Sequence, residues 1–582
     1  LKAKFLLLGN EAIARGAYEA GVRVATAYPG TPSTEILENI VKYKEIYAEW
    51  SPNEKVAFEV AHGAALGGAR ALVAMKHVGV NVAADALLTA SYTGVNAGLV
   101  LVSADDPGMH SSQNEQDNRH YARFAKIPML EPSDSQEAKD FTIRAFEISE
   151  QYDTPVMLRT TTRVNHGTSV VYLSEPSNPF PKNFERNPQK YVMIPAHARK
   201  RHVAVEERMA KLREFADSTD LNRVEWGDTS IGVITSGISY QYVKEVVPEA
   251  SVLKLGVTYP LPERLIGEFA GRVSQLYVVE ELDPFLEDQI RALGISVIGK
   301  ERFPSTGELT PDIVAAGFGI EAGKPLTLDI DIPARPPVLC PGCPHRGFFY
   351  VLRQLKAIVT GDIGCYTLGV LPPLEAMDTC VCMGAAIGNA LGIKRAQSPD
   401  DKRPVVAVIG DSTFVHAGIP GLIDAVYNNT AVTVCILDNS TTAMTGGQDH
   451  PATGRTLRGE EASKLDLVAL SKAVGVEDVL VVDPYDLEAV RNALSYTTQL
   501  EKPSVVITSR SCVLKTRGTN AHAVVDTDLC SGCTLCLRIG CPALEIATGG
   551  DGKRVVQVNQ TLCSGCGVCM QVCKVGAIRR RE

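Results

Sequence analysis

Short runs of consecutive apolar residues alternate along most of this chain with Ala- and Gly-rich stretches of helical period, which predicts parallel strands buried on both faces and joined by helices. In residues 1–185 the run Val22 to Tyr28 reads as a strand ending in the turn Pro29 to Ser33, followed by a helix over Thr34 to Tyr43 with Glu35 in its first turn. Glu54 to Arg70 reads as a helix, and Leu99 to Ser103 and Thr154 to Arg159 as strands, a doubly wound α/β signature. Residues 186–226 are polar and read as a connector with some helix, in which Ala198 to His202 is expected to be a solvated basic face. A smaller α/β unit follows over 227–328, with strands at Ile231–Thr235, Val252–Leu255 and Leu276–Glu280. Residues 329–338 form a Pro-rich linker. A third α/β domain over 339–516 carries apolar strands at Val405–Ile409, Ala431–Leu437 and Val505–Thr508, with a helix over Ile419–Tyr427 between the first two. Residues 521–582 break the pattern and are expected to form a small α+β domain of their own.

Composition narrows the function class. A chain of 582 residues with 45% hydrophobic content has ample core, and a formal charge of -9 argues against a nucleic-acid surface. The most apolar long stretch, Leu72 to Val102, is broken by Lys76, His77, Asn81, Asp85 and Asn96, so it reads as buried strands and helices and no membrane span is expected. Fifteen cysteines without a secretory signal pattern suit a reducing, cytoplasmic and anaerobic setting.

Eight of those cysteines lie in the tail, as Cys530, Cys533, Cys536 and Cys541, then Cys563, Cys566, Cys569 and Cys573. A tight loop with cysteines three apart wraps three thiolates round one iron–sulfur cube, and the fourth ligand arrives from elsewhere. The stretch Leu529 to Cys533 returns from Leu562 to Cys566 as an internal repeat. The runs resemble a bacterial two-cluster ferredoxin, in which the fourth cysteine of each run serves the other cube. The resemblance implies one [4Fe-4S] cluster on Cys530, Cys533, Cys536 and Cys573, and a second on Cys563, Cys566, Cys569 and Cys541. Two features depart from it: four residues rather than three precede Cys541, and Lys574 stands where proline is expected.

A second constellation lies upstream. The strand ending at Ile409 runs into Gly410, Asp411 and Ser412, and the next strand closes on Asn439, twenty-eight residues after Asp411. A βαβ unit brings these strand ends side by side, so Asp411, Asn439 and a carbonyl near Thr441 surround one point at the carboxyl edge of the sheet. Such oxygen ligands suit magnesium shared with a diphosphate, and Gly410 is expected to let the backbone approach a phosphate. The pair resembles the thiamine diphosphate motif, with Ser412 in place of its second glycine and Asp438 in place of its first asparagine. Thiamine chemistry also requires a carboxylate at the aminopyrimidine ring. Glu59, among Val56, Phe58 and Val60, is the expected activator and is expected to be partly desolvated.

With these residues the chain resembles the 2-oxoacid:ferredoxin oxidoreductases, and within them the indolepyruvate branch. The stretches that carry this are Tyr28–Ser33, Met75–Asn81, Ser103–Asp117, Leu339–Arg346, Gly361–Cys365 and the cysteine-rich tail. The resemblance implies a pyrimidine-binding domain at 1–185, a transketolase-C-terminal-like domain at 227–328, a diphosphate-binding domain at 339–516 and a two-cluster ferredoxin-like domain at 521–582. It implies an enzyme that oxidatively decarboxylates arylpyruvates, indole-3-pyruvate preferred, with coenzyme A. Two electrons per turnover leave singly to a soluble ferredoxin, and a smaller beta subunit completes the enzyme. Carried onto this chain, Thr31 lies against the substrate carboxylate, Met383 beside Gly384 supports the thiazolium, and His77, His110 and Asn114 are candidate polar groups at the substrate end. Cys340, Cys343, Cys365 and Cys512 resemble the ligands of a further cluster in pyruvate and oxoglutarate relatives, whereas the indolepyruvate branch is described by its two ferredoxin-type clusters; both readings stay open. The alternatives are another 2-oxoacid substrate or a non-catalytic electron-transfer subunit.

Overall fold

The computed structural model describes residues 4–177, 182–321, 330, 332, 336–516, 521–550 and 552–581. Half of the expected linker at 329–338 therefore lies outside the described residues. The chain divides into two compact units, Leu1–Leu328 and Asp329–Glu582.

The first unit is built on a seven-stranded sheet in the order Val257–Tyr259, Met129–Leu130, Val156–Thr161, Leu99–Asp105, Ala71–Lys76, Val24–Ala27, Tyr47–Trp50. Every pairing is parallel except the first. The central strands Ala71–Lys76 and Leu99–Asp105 are buried along their whole length, which is why they read as unbroken apolar runs. The segment expected to form a separate smaller domain contributes Val257–Tyr259 to this sheet. Its own four-stranded sheet runs Gln275–Val279, Asp228–Ser236, Ala250–Leu255, Arg223–Glu225. The fully buried Arg119 ties the two sheets together, pairing with Asp117 beside it and with Glu280 across the junction. The connector is dominated by one helix, Pro195–Ser218. Its basic cluster is not wholly solvated, because Arg201 donates to the Tyr92 carbonyl at 2.6 Å and pairs with Asp153.

The second unit carries a six-stranded, all-parallel sheet in the order Thr379–Cys380, Ile358–Gly361, Val405–Gly410, Thr433–Asp438, Ser504–Ser509, Asp478–Val482. The order reverses across the sheet, so the ends of Val405–Gly410 and Thr433–Asp438 open beside each other, where open α/β sheets bind ligands. The cysteine-rich tail adds two antiparallel pairs, Ala523–Val525 with Ile578–Arg580 and Leu544–Thr548 with Arg554–Val558, plus the short helix Val568–Val572. Its core is small and includes cysteines, with Cys536, Cys541, Cys563, Cys569 and Cys573 packed among Leu544, Val556 and Ile578. No helix among the described residues is long and apolar enough to cross a membrane.

Candidate functional site

In the second unit, strand Val405–Gly410 ends on Gly410 and the chain turns directly into helix at Asp411. That helix passes through a π turn at Phe414–Gly418 before Ile419–Tyr427, an irregularity common at functional sites. A Cβ on Gly410 would lie 2.6 Å from Cε1 of Tyr366. The glycine is therefore required by the ring packed against it, a reason the sequence does not disclose.

Asp411 is 3% exposed and its Oδ2 accepts the Ser440 N–H at 2.9 Å. Burial pushes its carboxyl up, opposed by His450, whose Nε2 lies 3.2 Å from the same oxygen. Asn439 is buried, with its Nδ2 3.4 Å from Nε2 of His345 and its Oδ1 accepting the Thr441 N–H at 3.2 Å. Ser412 accepts a hydrogen bond from the Thr442 hydroxyl at 3.0 Å. Asp411, Ser412, Asn439 and Thr441 thus converge as expected. His345 and His450, which the motif reading passed over, complete the ring of polar atoms. Burial drives His345 down to about 4, so it is a neutral acceptor, and Nδ1 of His450 is buried with no hydrogen-bond partner among the described residues. An oxygen-rich, buried pocket that is short of partners suits a hard divalent cation with a diphosphate.

Beside it, Gly384 adopts φ +87, and a Cβ there would meet that of Ala417 in the π turn at 2.5 Å. Its N–H donates to Asp362 Oδ1 at 3.0 Å, and Ala386 N–H donates to Oδ2 at 3.1 Å, so Asp362 holds the Met383–Gly384 turn at the start of helix Ala385–Ala396. Burial raises Asp362 to about 6 despite those bonds.

Twelve of the fifteen cysteines, all of which lie in this unit, fall into three groups of four. Cys530, Cys533, Cys536 and Cys573 line one cavity, and Cys541, Cys563, Cys566 and Cys569 line another with Cys343 at its wall. Cys340, Cys343, Cys365 and Cys512 form the third, close enough that Cys340 and Cys365 add to the upward push of burial on Cys343, and Cys512 and Cys340 to that on Cys365. The Cys512 N–H donates to the Asn439 carbonyl at 2.9 Å, so the third group is joined to the Asp411–Asn439 pocket. The buried Arg346 links the third group to the second, with Nε donating to the Cys340 carbonyl at 2.9 Å and the guanidinium also bonding Leu339, Ile539 and Gly540 carbonyls. Gly540, at φ +71, is one of the four residues between Cys536 and Cys541 and gives Arg346 a carbonyl to grip.

In the first unit the outcome for Glu59 differs from expectation. The buried stripe of helix Glu54–Leu66 consists of Glu54, Ala57, Phe58, Ala61 and Ala65. Glu59 faces away from that stripe, its side chain 45% exposed and ion-paired with Lys55. Apolar neighbours in sequence do not desolvate a side chain that helical rotation turns outward. The buried glutamate is Glu54, 5% exposed, with its Cγ and Oε1 occupying the space of a Cβ on Gly79.

Thr31 lies in the turn Pro29–Ser33 through a cis bond to Pro32. The stem of Lys76 packs on neighbouring Gly30, where an added Cβ would meet its Cβ at 3.0 Å. Lys76 is 9% exposed, donates to the Ser111 carbonyl, and is lowered to about 8 by burial, which Asp106 only partly offsets. Asp106 is itself occupied by Ser111 N–H at 2.8 Å, Ser112 at 2.5 Å and Thr162 at 2.7 Å. His77 Nε2 lies 3.3 Å from both the main-chain and side-chain oxygens of Asn114. The structure therefore brings His77 and Asn114 together, while His110 is turned to Glu308 at 3.3 Å. No motif singles out Lys76, although a lone cation ending an apolar parallel strand at its carboxyl edge is a sequence signal in itself.

Family models match three stretches: "Pyruvate flavodoxin/ferredoxin oxidoreductase, thiamine diP-bdg" over residues 15–217, "Thiamine pyrophosphate enzyme, C-terminal TPP binding domain" over 362–508, and "4Fe-4S binding domain" over 556–579. The indolepyruvate oxidoreductase subunit IorA of Archaeoglobus fulgidus is 43% identical, over 99% of this chain and 97% of that protein. The subunit of the same name from Pyrococcus horikoshii is 41% identical, over 99% and 96%. A solved 2-oxoglutarate:ferredoxin oxidoreductase from Magnetococcus marinus is similar at a TM-score of 0.47 with 17% identity, covering 55% of this chain and 65% of that one. The chain belongs to the family of indolepyruvate oxidoreductase subunits IorA, enzymes of the 2-oxoacid oxidoreductase class that depend on thiamine diphosphate and iron–sulfur clusters.

Proposed function

We propose that this chain is the catalytic subunit of an arylpyruvate:ferredoxin oxidoreductase, with indole-3-pyruvate the preferred substrate and coenzyme A the acyl acceptor. The observation that carries the reading is the junction, within one unit, of the buried Asp411–Asn439 pocket with the cysteine groups through the Cys512–Asn439 hydrogen bond. Thiamine diphosphate supplies the nucleophilic carbon and the electron sink for decarboxylation of the 2-oxoacid. Asp411, Asn439 and the Thr441 carbonyl would hold magnesium, Gly410 and Ser412 would line the diphosphate, and Met383 beside Gly384 would support the thiazolium. Lys76, next to the Thr31 turn, receives the substrate carboxylate, and His77 with Asn114 borders the same end. His110 and Glu59, by their exposure and their ion pairs with Glu308 and Lys55, are poorer candidates than the sequence suggests. Buried Glu54 fits better than Glu59 the desolvated carboxylate that proton transfer at the pyrimidine requires.

The two tail groups hold [4Fe-4S] clusters, and the meeting of Cys340, Cys343, Cys365 and Cys512 favours a third. Within the two compact units the domains are assigned as pyrimidine-binding at 1–185, connector at 186–226, a smaller α/β domain at 227–328 that lends Val257–Tyr259 to the N-terminal sheet, linker at 329–338, diphosphate-binding at 339–516 and ferredoxin-like at 521–582. A beta subunit completes the enzyme, and a soluble ferredoxin takes the electrons.

The test is anaerobic co-purification with the small subunit, with viologen and ferredoxin reduction assayed across a panel of 2-oxoacids with and without coenzyme A. Activity confined to pyruvate or oxoglutarate would sink the substrate assignment. Iron analysis reads about twelve irons per chain for three cubes and about eight for two. Glu54→Gln should abolish turnover with iron retained while Glu59→Gln stays active; the reverse outcome restores Glu59 to the role.

A further inference from the structure

We propose that the cleft bounded by Arg353, Arg491, Arg538 and Lys574 is the docking surface for an acidic iron–sulfur carrier protein that takes electrons from the cluster on Cys530, Cys533, Cys536 and Cys573. The inference rests on the function proposed above and adds where the electrons leave.

The cysteine groups have a direction. The group joined to Asn439 adjoins the second through Cys343 and Arg346, and the second adjoins the first, since Cys536 and Cys573 pack in one core with Cys541, Cys563 and Cys569. Cys541, Cys566 and Cys569 of the second group pack against the core of the large domain. In the first group, Cys533 is exposed, so that group is the one that meets the surface.

Its surroundings are basic in a chain of net charge -9. The cleft presents those four cations against Glu375 and Glu488. Glu375 and Arg353 pair with each other at 2.7 Å, which leaves Arg491, Arg538 and Lys574 against Glu488. Lys574, the residue that replaces the expected proline, follows Cys573 directly and lines the cleft. Leu535 lines both this cleft and the cavity of the first cysteine group, and Val575 beside Lys574 is 48% exposed. A small apolar contact within a basic rim is the surface expected for a weak, electrostatically steered redox encounter. Each 2-oxoacid oxidised releases two electrons, which leave one at a time and reduce two carrier molecules by one electron each. No atom crosses the surface.

The experiment compares reduction of a strongly acidic two-cluster ferredoxin with reduction of methyl viologen by the purified heteromer at rising ionic strength. In Arg538→Glu/Lys574→Glu the KM for ferredoxin should rise about tenfold and its salt dependence flatten, with viologen reduction and iron content unchanged. Arg491→Glu, on helix Leu487–Thr497 and outside the cysteine loops, should raise the same KM and so reads the surface independently of the clusters. Unchanged ferredoxin kinetics in both variants overturn the inference, as does a raised KM for coenzyme A in their place, or a beta subunit found to cover these residues by hydrogen exchange. A wild-type enzyme inert to viologen with every 2-oxoacid instead overturns the functional reading, and this inference with it.

Discussion

Lys76→Met separates a cation kept for substrate from one kept for structure. Burial lowers Lys76 from 10.5 to about 8, and that gap corresponds to about 3 kcal/mol of folding stability lost at neutral pH. The sign follows from proton uptake. Below pH 8 both folded and unfolded lysines are charged, and only the folded one is desolvated. Between pH 8 and 10.5 the folded lysine loses its proton first, so the deficit shrinks and is gone above 10.5. Methionine keeps the stem that packs on Gly30 and removes the charge, at the loss of one hydrogen bond to the Ser111 carbonyl worth about 1 kcal/mol. The variant should therefore be more stable by about 2 kcal/mol at pH 7, with the difference fading towards pH 10.5. Meanwhile the KM for the 2-oxoacid should rise about 10- to 100-fold through loss of a charge-assisted bond. In the wild type, KM should climb as pH passes 8, and in the variant it should stay flat. Calorimetry at pH 7 and 10 with initial rates of viologen reduction measures both. A variant that is less stable at pH 7, or whose KM is unchanged, refutes the assignment and makes Lys76 a structural residue.

Gly79→Ala places a Cβ 2.7 Å from Glu54 Cγ and Oε1, so it should displace that carboxylate and lower kcat at least tenfold with the clusters intact, measured by turnover beside iron content. Gly410→Ala drives a Cβ against Tyr366 and should destabilise the second unit by about 1–3 kcal/mol and weaken thiamine diphosphate binding, read by calorimetric titration. The double variant with Tyr366→Leu should recover part of both. Arg346→Met leaves buried carbonyls of two loops without their donor, at about 1–3 kcal/mol each. Limited proteolysis should then release the cysteine-rich tail earlier than in the wild type, and an unchanged digestion pattern would count against Arg346 as the tie between the loops.

The parallel strands were legible because burial on both faces leaves an unbroken apolar run, as in Val405–Gly410 and Leu99–Asp105. Strand Val257–Tyr259 was not assigned to the N-terminal sheet, since its antiparallel pairing with Met129–Leu130 joins residues more than a hundred positions apart. At the candidate site, Asp411 with Asn439 and both tail runs could be read because their spacing is local or set by one βαβ unit. His345, His450 and Arg346 escaped notice because each meets its partners only after distant segments pack.

Ligand chemistry and domain class follow from residue type and spacing, which belong to the chain before it folds. Burial does not. It depends on which face of a helix meets the core, and for that reason only the folded chain distinguishes Glu54 from Glu59, reveals Lys76 beside the Thr31 turn, and turns the odd Gly540 and Lys574 of the cysteine runs into a grip for Arg346 and a charge at the surface.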